Sequence, residues 1–155
     1  MGFTTFLPVR ARRRAIRSAY RALRVYWYLR RPAMSGVKCV LRTEDRLLLV
    51  RHTYGRDDWD FPGGAMKSGE APAHAARREI REELGVTIDD WRELGVVTGR
   101  ADYRRDTLHC FQAPLVERQL ALDGGEIAAA GWFERGTLPA NLGRYVPPIL
   151  ALLED

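Results

Sequence analysis

The sequence predicts an α/β fold with a mixed β-sheet, preceded by a basic amphipathic N-terminal helix. Three observations carry this. Short apolar runs with strand-like alternation precede and follow one long helical segment in the body of the chain. Turn residues punctuate those runs at short intervals. The first 31 residues have a separate composition, rich in arginine and free of acid.

The elements follow in order. On a helical wheel Ile16, Ala19, Tyr20, Leu23, Tyr26 and Trp27 fall on one side of the arm, and Arg10, Arg13, Arg14, Arg17, Arg21 and Arg24 on the other. That is a helix of about 20 residues with an aromatic stripe and a basic face. Pro32 ends it, a Ser35-Gly36 turn is expected next, and the division is 1–35 for the extension and 36–155 for the domain. Val37 to Arg42 and Arg46 to Val50 flank the polar pair Glu44-Asp45 and read as a β-hairpin. Trp59 to Gly64 is a turn-rich loop, since Pro62 and two glycines block regular structure. Ala71 to Leu84 is the main helix, opened by Pro72 and stopped by Gly85. Trp91 to Arg100, Leu108 to Val116 and a short Gly131 to Phe133 are further strands, and Pro147 to Leu153 is a closing helix.

The 155 residues suit one domain with a real core. The net charge of +5 hides a split. Nine arginines lie in residues 1–31, and the remaining 16 basic residues face all 20 acids, so the arm is +9 and the body −4. No apolar run approaches the ~20 residues a spanning helix needs. Cys39 and Cys110 are too few for a disulfide framework or a four-cysteine zinc site and read as buried reduced thiols in a cytoplasmic protein.

The chemistry concentrates on the main helix. Glu79, Glu82 and Glu83 stand at i, i+3 and i+4, so all three carboxylates are expected on one face, where they repel. Alone, such a segment would be an ordinary solvated face. In a cleft it calls for a hard divalent cation, and Mg²⁺ takes one or two carboxylates together with substrate phosphates. Arg78, one turn before Glu82, could steer a carboxylate.

The surroundings favour the cleft. From Gly64, five residues lead to Glu70, seven more to Arg78-Glu79-Ile80, and then to Glu82-Glu83, Gly85 and Val86. Chance would produce this pattern in a chain with a probability on the order of 1 in 10⁷. It resembles the Nudix hydrolase box position for position. WDFPGG before it, and Glu126 with Trp132-Phe133 after it, resemble the family's lead-in and its later acidic loop and strand.

The resemblance implies an α/β/α sandwich and hydrolysis of a nucleoside diphosphate linked to another moiety. It implies Mg²⁺, with Mn²⁺ as an alternative, held by Glu79, Glu82, Glu83 and the Gly64 carbonyl. Glu79 is a further ligand or the base that deprotonates the attacking water. Glu126, on a loop expected to be mobile from its glycine and alanine flanks, is an extra ligand or base. Glu70 and Arg78 orient the helix and loop by pairing. Two rival readings are hydrolysis of a nucleoside triphosphate or an RNA 5′-triphosphate, and a non-catalytic nucleotide-binding module.

Substrate-reading residues lie outside the box. Tyr103, 17 residues after Val86, resembles by its spacing the tyrosine of the family's diadenosine polyphosphate hydrolases; Arg104 and Arg105 could meet a phosphate or form a solvated turn, and Trp59 or Tyr54 could stack on a base or pack at the core or rim. His52, His74 and His109 lack the spacing of a metal set and read as structural or exposed. The arm has four readings: docking on the body or on a second subunit of a homodimer; surface contact with an anionic membrane; contact with nucleic-acid phosphates, though nucleic acid is not the expected partner; or a cleaved presequence.

Overall fold

The computed structural model of the chain describes residues 8–116 and 120–153. Helix α1 (Val9–Arg30) leads to β1 (Ala33–Thr43), β2 (Arg46–His52) and the two-residue β3 (Trp59–Asp60). Helix α2 (Pro72–Leu84), β4 (Arg92–Ala101), β5 (Arg104–Pro114), β6 (Ile127–Glu134) and α3 (Val146–Leu150) follow. The sheet runs β3-β2-β1-β5-β4, with β6 paired to the other edge of β2. It is mixed: β1 and β5 are parallel over Ala33↔Arg105 to Arg42↔Pro114, whereas the β1–β2, β2–β6 and β4–β5 pairs are antiparallel.

Two cores flank the sheet, because alternate residues of each strand point to opposite faces. Val37, Cys39 and Leu41 of β1 pack with Leu48, Val50 and the α2 residues Ala76, Ile80 and Leu84. Val40, Leu47 and Leu49 turn the other way, onto Phe61, Val146 and Ile149. The result is the expected helix–sheet–helix sandwich. Both cysteines are buried and free. Among the described residues no helix is long and apolar enough to cross a membrane.

Several boundaries differ from expectation for identifiable reasons. Ser35 and Gly36 are not a turn but part of β1. A Cβ on Gly36 would lie 2.8 Å from the Gly64 carbonyl oxygen, so this glycine admits the Gly64 loop against the strand. Strand β5 starts at Arg104, because Asp102 and Tyr103 at φ 46° and 68° make a two-residue hairpin turn that carries the ladder to its tip. The run Arg104 to Thr107 is too polar to read as a strand, yet Asp106 is buried, accepting hydrogen bonds from Arg104 and the Tyr145 hydroxyl. The alanines after Glu126 belong to β6 and are not loop. Helix α3 begins at Val146 and tightens into i→i−3 bonds after Leu150.

Candidate active site

Helix α2 has no side-chain N-cap; Pro72 opens it, and Gly85 at φ 69° closes it with its N–H on the Arg81 carbonyl. Its buried residues recur one turn apart, and that row includes Glu79 and Glu83. The three carboxylates are therefore not equivalent, as a single exposed face would require. Glu79 is 8% exposed and Glu83 3%, whereas the Glu82 side chain is 52% exposed.

The buried pair is built into the Gly63-Gly64 loop. Glu83 Oε2 accepts the Gly63 N–H at 3.0 Å, and Glu83 Oε1 lies 3.3 Å from His52 Nε2. The Glu79 carboxyl packs on Gly64, where a Cβ would come within 2.6 Å of it. Gly63 has φ 139°, and a Cβ there would run into the Val37 carbonyl, so both positions require glycine. The Gly64 carbonyl already accepts the Val37 N–H at 2.9 Å, which leaves one lone pair for a further partner.

Arg78 ties the set together. It donates to Glu70 through Nε and Nη2 at 2.8 and 2.9 Å, to Glu79 at 2.6 Å, to Glu82 at 3.3 Å and to the Ala65 carbonyl at 3.0 Å. The fork geometry suits a guanidinium and would not suit lysine. Hydrogen bonding and burial set the acidities of Glu70 and Glu79 in opposite directions. Hydrogen bonds from Arg78 and then from the Lys67 N–H hold Glu70 down to about 2. Burial pushes Glu79 up to about 7; Arg78 opposes this, and Glu83 and Glu82 reinforce it.

Glu126 lines the cleft close enough to Glu83 to feel its charge. Burial, then Glu83 and Asp123, raise its carboxyl above the ordinary range. Its turn is tied down, contrary to the expectation of a mobile loop. The Asp123 carboxylate accepts the Gly125 N–H, and the Asp123 carbonyl accepts the N–H groups of Glu126 and Ile127. Thr53 donates its N–H to the Glu126 carbonyl at 2.8 Å and its hydroxyl to the Gly125 carbonyl at 2.7 Å. Glycines here serve close contact: a Cβ on Gly125 would meet the Arg12 guanidinium.

A cleft of about 690 Å³ opens at this point, bounded by Gly63 and Gly64, His52, Glu126 and Arg104. Its far wall is α1, whose aromatic stripe faces inward. Trp27 is 5% exposed, with the Arg104 guanidinium 4.3 Å over its ring. Among the described residues no three His, Cys, Asp or Glu side chains already converge as a cation cage; Arg78 occupies the space between three of the carboxylates.

The structure thus brings together Gly64, Arg78, Glu79, Glu82, Glu83, Glu126 and Arg104. It does not bring Trp59 or Tyr103 to the cleft. Trp59 stands edge-on to Phe133 under Arg51, on the α3 side. Tyr103 is exposed at the β4–β5 turn, its ring against Tyr28. Tyr54 does line the cleft. Two participants were missed. His52 continues the Leu48, Val50 series toward α2, and that period-two step was the available signal. Tyr20 was legible as part of a stripe, but nothing local says what a stripe covers.

Comparison with known proteins agrees with this geometry. The NUDIX domain matches residues 30–153. An RNA pyrophosphohydrolase of Saccharophagus degradans is 42% identical over 67 residues, covering 42% of this chain and 39% of the relative. A Bacillus subtilis protein provisionally named 8-oxo-dGTP diphosphatase is 36% identical over 103 residues, covering 64% of this chain and 65% of the relative. The chain therefore spans less than two-thirds of either relative's length. The crystal structure of a MutT NUDIX hydrolase from Burkholderia pseudomallei shares the fold with a TM-score of 0.73 at 24% identity, over 79% of this chain and 98% of that one. With a family match over most of its length and the fold of a solved member, the chain belongs to the NUDIX family.

Proposed function

We propose that the chain is a Mg²⁺-dependent hydrolase, with Mn²⁺ as the alternative ion, that cleaves the pyrophosphate bond of a nucleoside diphosphate linked to a second moiety. The observation that carries this reading is the buried Glu79 and Glu83 pair seated on the Gly63-Gly64 loop at the edge of a nucleotide-sized cleft.

The donor set fits a hard cation. Glu79 and Glu82 share the Arg78 guanidinium with Glu70, whereas Glu83 holds the Gly63 N–H; burial, reinforced by the charges of Glu83 and Glu82, pushes Glu79 up to about 7, so oxygen donors outnumber positive charges here. Glu79, Glu82, Glu83 and the free lone pair of the Gly64 carbonyl would hold the ion. When bound, it supplies neutralisation of the diphosphate charge and an acidified water. Arg78 holds the carboxylates in register with the loop. Glu126, whose carboxyl burial and the charge of Glu83 raise, would accept a proton from the attacking water; Glu79 is the alternative base. Arg104 offers positive charge at the cleft wall.

The triphosphate reading, a nucleoside triphosphate or an RNA 5′-triphosphate, is favoured by the names of the two relatives. A panel of nucleoside diphosphate derivatives and triphosphates, run with Mg²⁺ in 18O-labelled water, separates the two. The main reading expects label in a nucleoside monophosphate or its phosphorylated partner; release of inorganic pyrophosphate from triphosphates alone would replace it. The solvent side of α1, where Arg14, Arg21 and Val25 are exposed on one face, supports a membrane contact for the arm, though not one through Trp27, which is buried. Sedimentation with anionic vesicles that weakens as salt rises is its expected mark.

A further inference from the structure

We propose that α1 is part of the substrate site, and that Tyr20, Leu23 and Tyr26 form the surface on which the planar base of the substrate lies. This rests on the hydrolase reading above and assigns the end of the substrate away from the cleaved bond.

The NUDIX match begins at residue 30, so nearly all of α1 lies outside it. Yet α1 forms a wall of the cleft. The helix is fixed at both ends by specific bonds. Toward its N-terminus Arg12 pairs with Asp123 at 2.7 Å, and Arg13 and Arg17 donate to the Gly124 and Thr53 carbonyls at 2.8 Å each. These acceptors belong to the Glu126 turn and its neighbour Thr53. At its middle Tyr20 donates to Asp102 at 2.5 Å, and toward its C-terminus Trp27 is buried under Arg104. The helix therefore spans the cleft from the catalytic turn to the β4–β5 turn.

A helix docked for stability alone would bury its apolar stripe. Here Leu23 is 46% and Tyr26 50% exposed, and both line the cleft, so their apolar surface faces the space a ligand would fill. The Tyr20 ring lies 5.3 Å from Tyr54, and Tyr54 lies 5.3 Å from His52, which contacts Glu83. An aromatic surface thus runs from α1 to the carboxylates, so a base held on α1 would leave its phosphates directed at the Gly64 loop. Stacking on aromatic rings accepts any base, because every base has a π-face.

The test uses equilibrium titration of the full chain, at fixed Mg²⁺, with AMP and separately with inorganic phosphate. AMP carries no pyrophosphate bond, so binding is read without turnover. The wild type is expected to bind AMP more tightly than phosphate. Tyr20→Leu and Tyr26→Ser should weaken AMP binding by roughly 5- to 150-fold, the range carried by one stacking ring, and leave phosphate binding unchanged; Tyr20→Phe should retain AMP. Tyr26 is half exposed, so its variant keeps the fold and decides the matter if Tyr20→Leu does not fold. Equal affinity of the wild type for AMP and phosphate, or an AMP affinity indifferent to Tyr26→Ser, overturns the proposal, and so does an equal loss for both ligands. Base binding of the expected kind in a chain that hydrolyses nothing in the panel would overturn the hydrolase reading and leave this one standing.

Discussion

Glu83 is where the helix meets the loop. One of its oxygens holds the Gly63 N–H and the other faces His52. Glu83→Gln keeps the shape and an acceptor for Gly63 but removes the charge a cation needs. The variant is expected to retain its melting temperature and to lose turnover at saturating Mg²⁺ by at least about 100-fold, since even outer partners of a metal site cost 10–100-fold. Near-wild-type turnover would remove Glu83 from the ligand set. Glu126→Gln is expected to lower kcat with KM little changed, as for a group that acts in the transition state; steady-state kinetics on the preferred substrate reads the split. Glu70 provides the pH dependence. Its carboxyl is held down to about 2 in the fold against an ordinary 4.5. A depressed acid stabilises the fold above its unfolded value and loses that contribution as pH falls toward 2. Urea midpoints should thus show Glu70→Gln less stable than wild type at pH 6, with the gap closing near pH 2. These carboxylates were legible because their spacing is chemical. Trp59 and Tyr103 were not, because an aromatic side chain in a turn says nothing about which cavity it faces.

At the level of elements, α1 behaves as an integral wall. Its arginine pairs are partly solvated, and such pairs contribute at most about 1 kcal/mol each. Burial of Trp27 is the larger contribution. Trp27→Ala is expected to cost about 3 kcal/mol, at the low end for a buried aromatic, read as a lower urea midpoint. An unchanged midpoint would mean that the helix does not dock. The α2 boundaries were readable because Pro72 and Gly85 are local signals. The start of β5 was not: its buried Asp106 is satisfied in part by Tyr145, a partner 39 positions away. Rigidity at the Glu126 turn escaped sequence reading for the same reason, since the bonds that tie Gly124 and Gly125 come from Arg13 and Thr53.

For the whole molecule, the split between a basic arm and an acidic body resolves into one surface. Arg12 reaches Asp123, and Arg24 lies 3.5 Å from Asp102. These ion pairs join the basic arm to the acidic body at the two turns that α1 spans. The sandwich supplies the platform, α2 and the Gly63-Gly64 loop supply the carboxylates, and α1 closes one side. The most direct measurement follows hydrolysis of a nucleoside diphosphate derivative by the full chain while Mg²⁺ is chelated and then restored. Hydrolysis is expected to stop in the chelator and return with Mg²⁺ in the wild type, and to stay at least about 100-fold lower in Glu83→Gln under the restored condition. Hydrolysis that continues unchanged in the chelator, or that Glu83→Gln performs as fast as the wild type, would contradict the account.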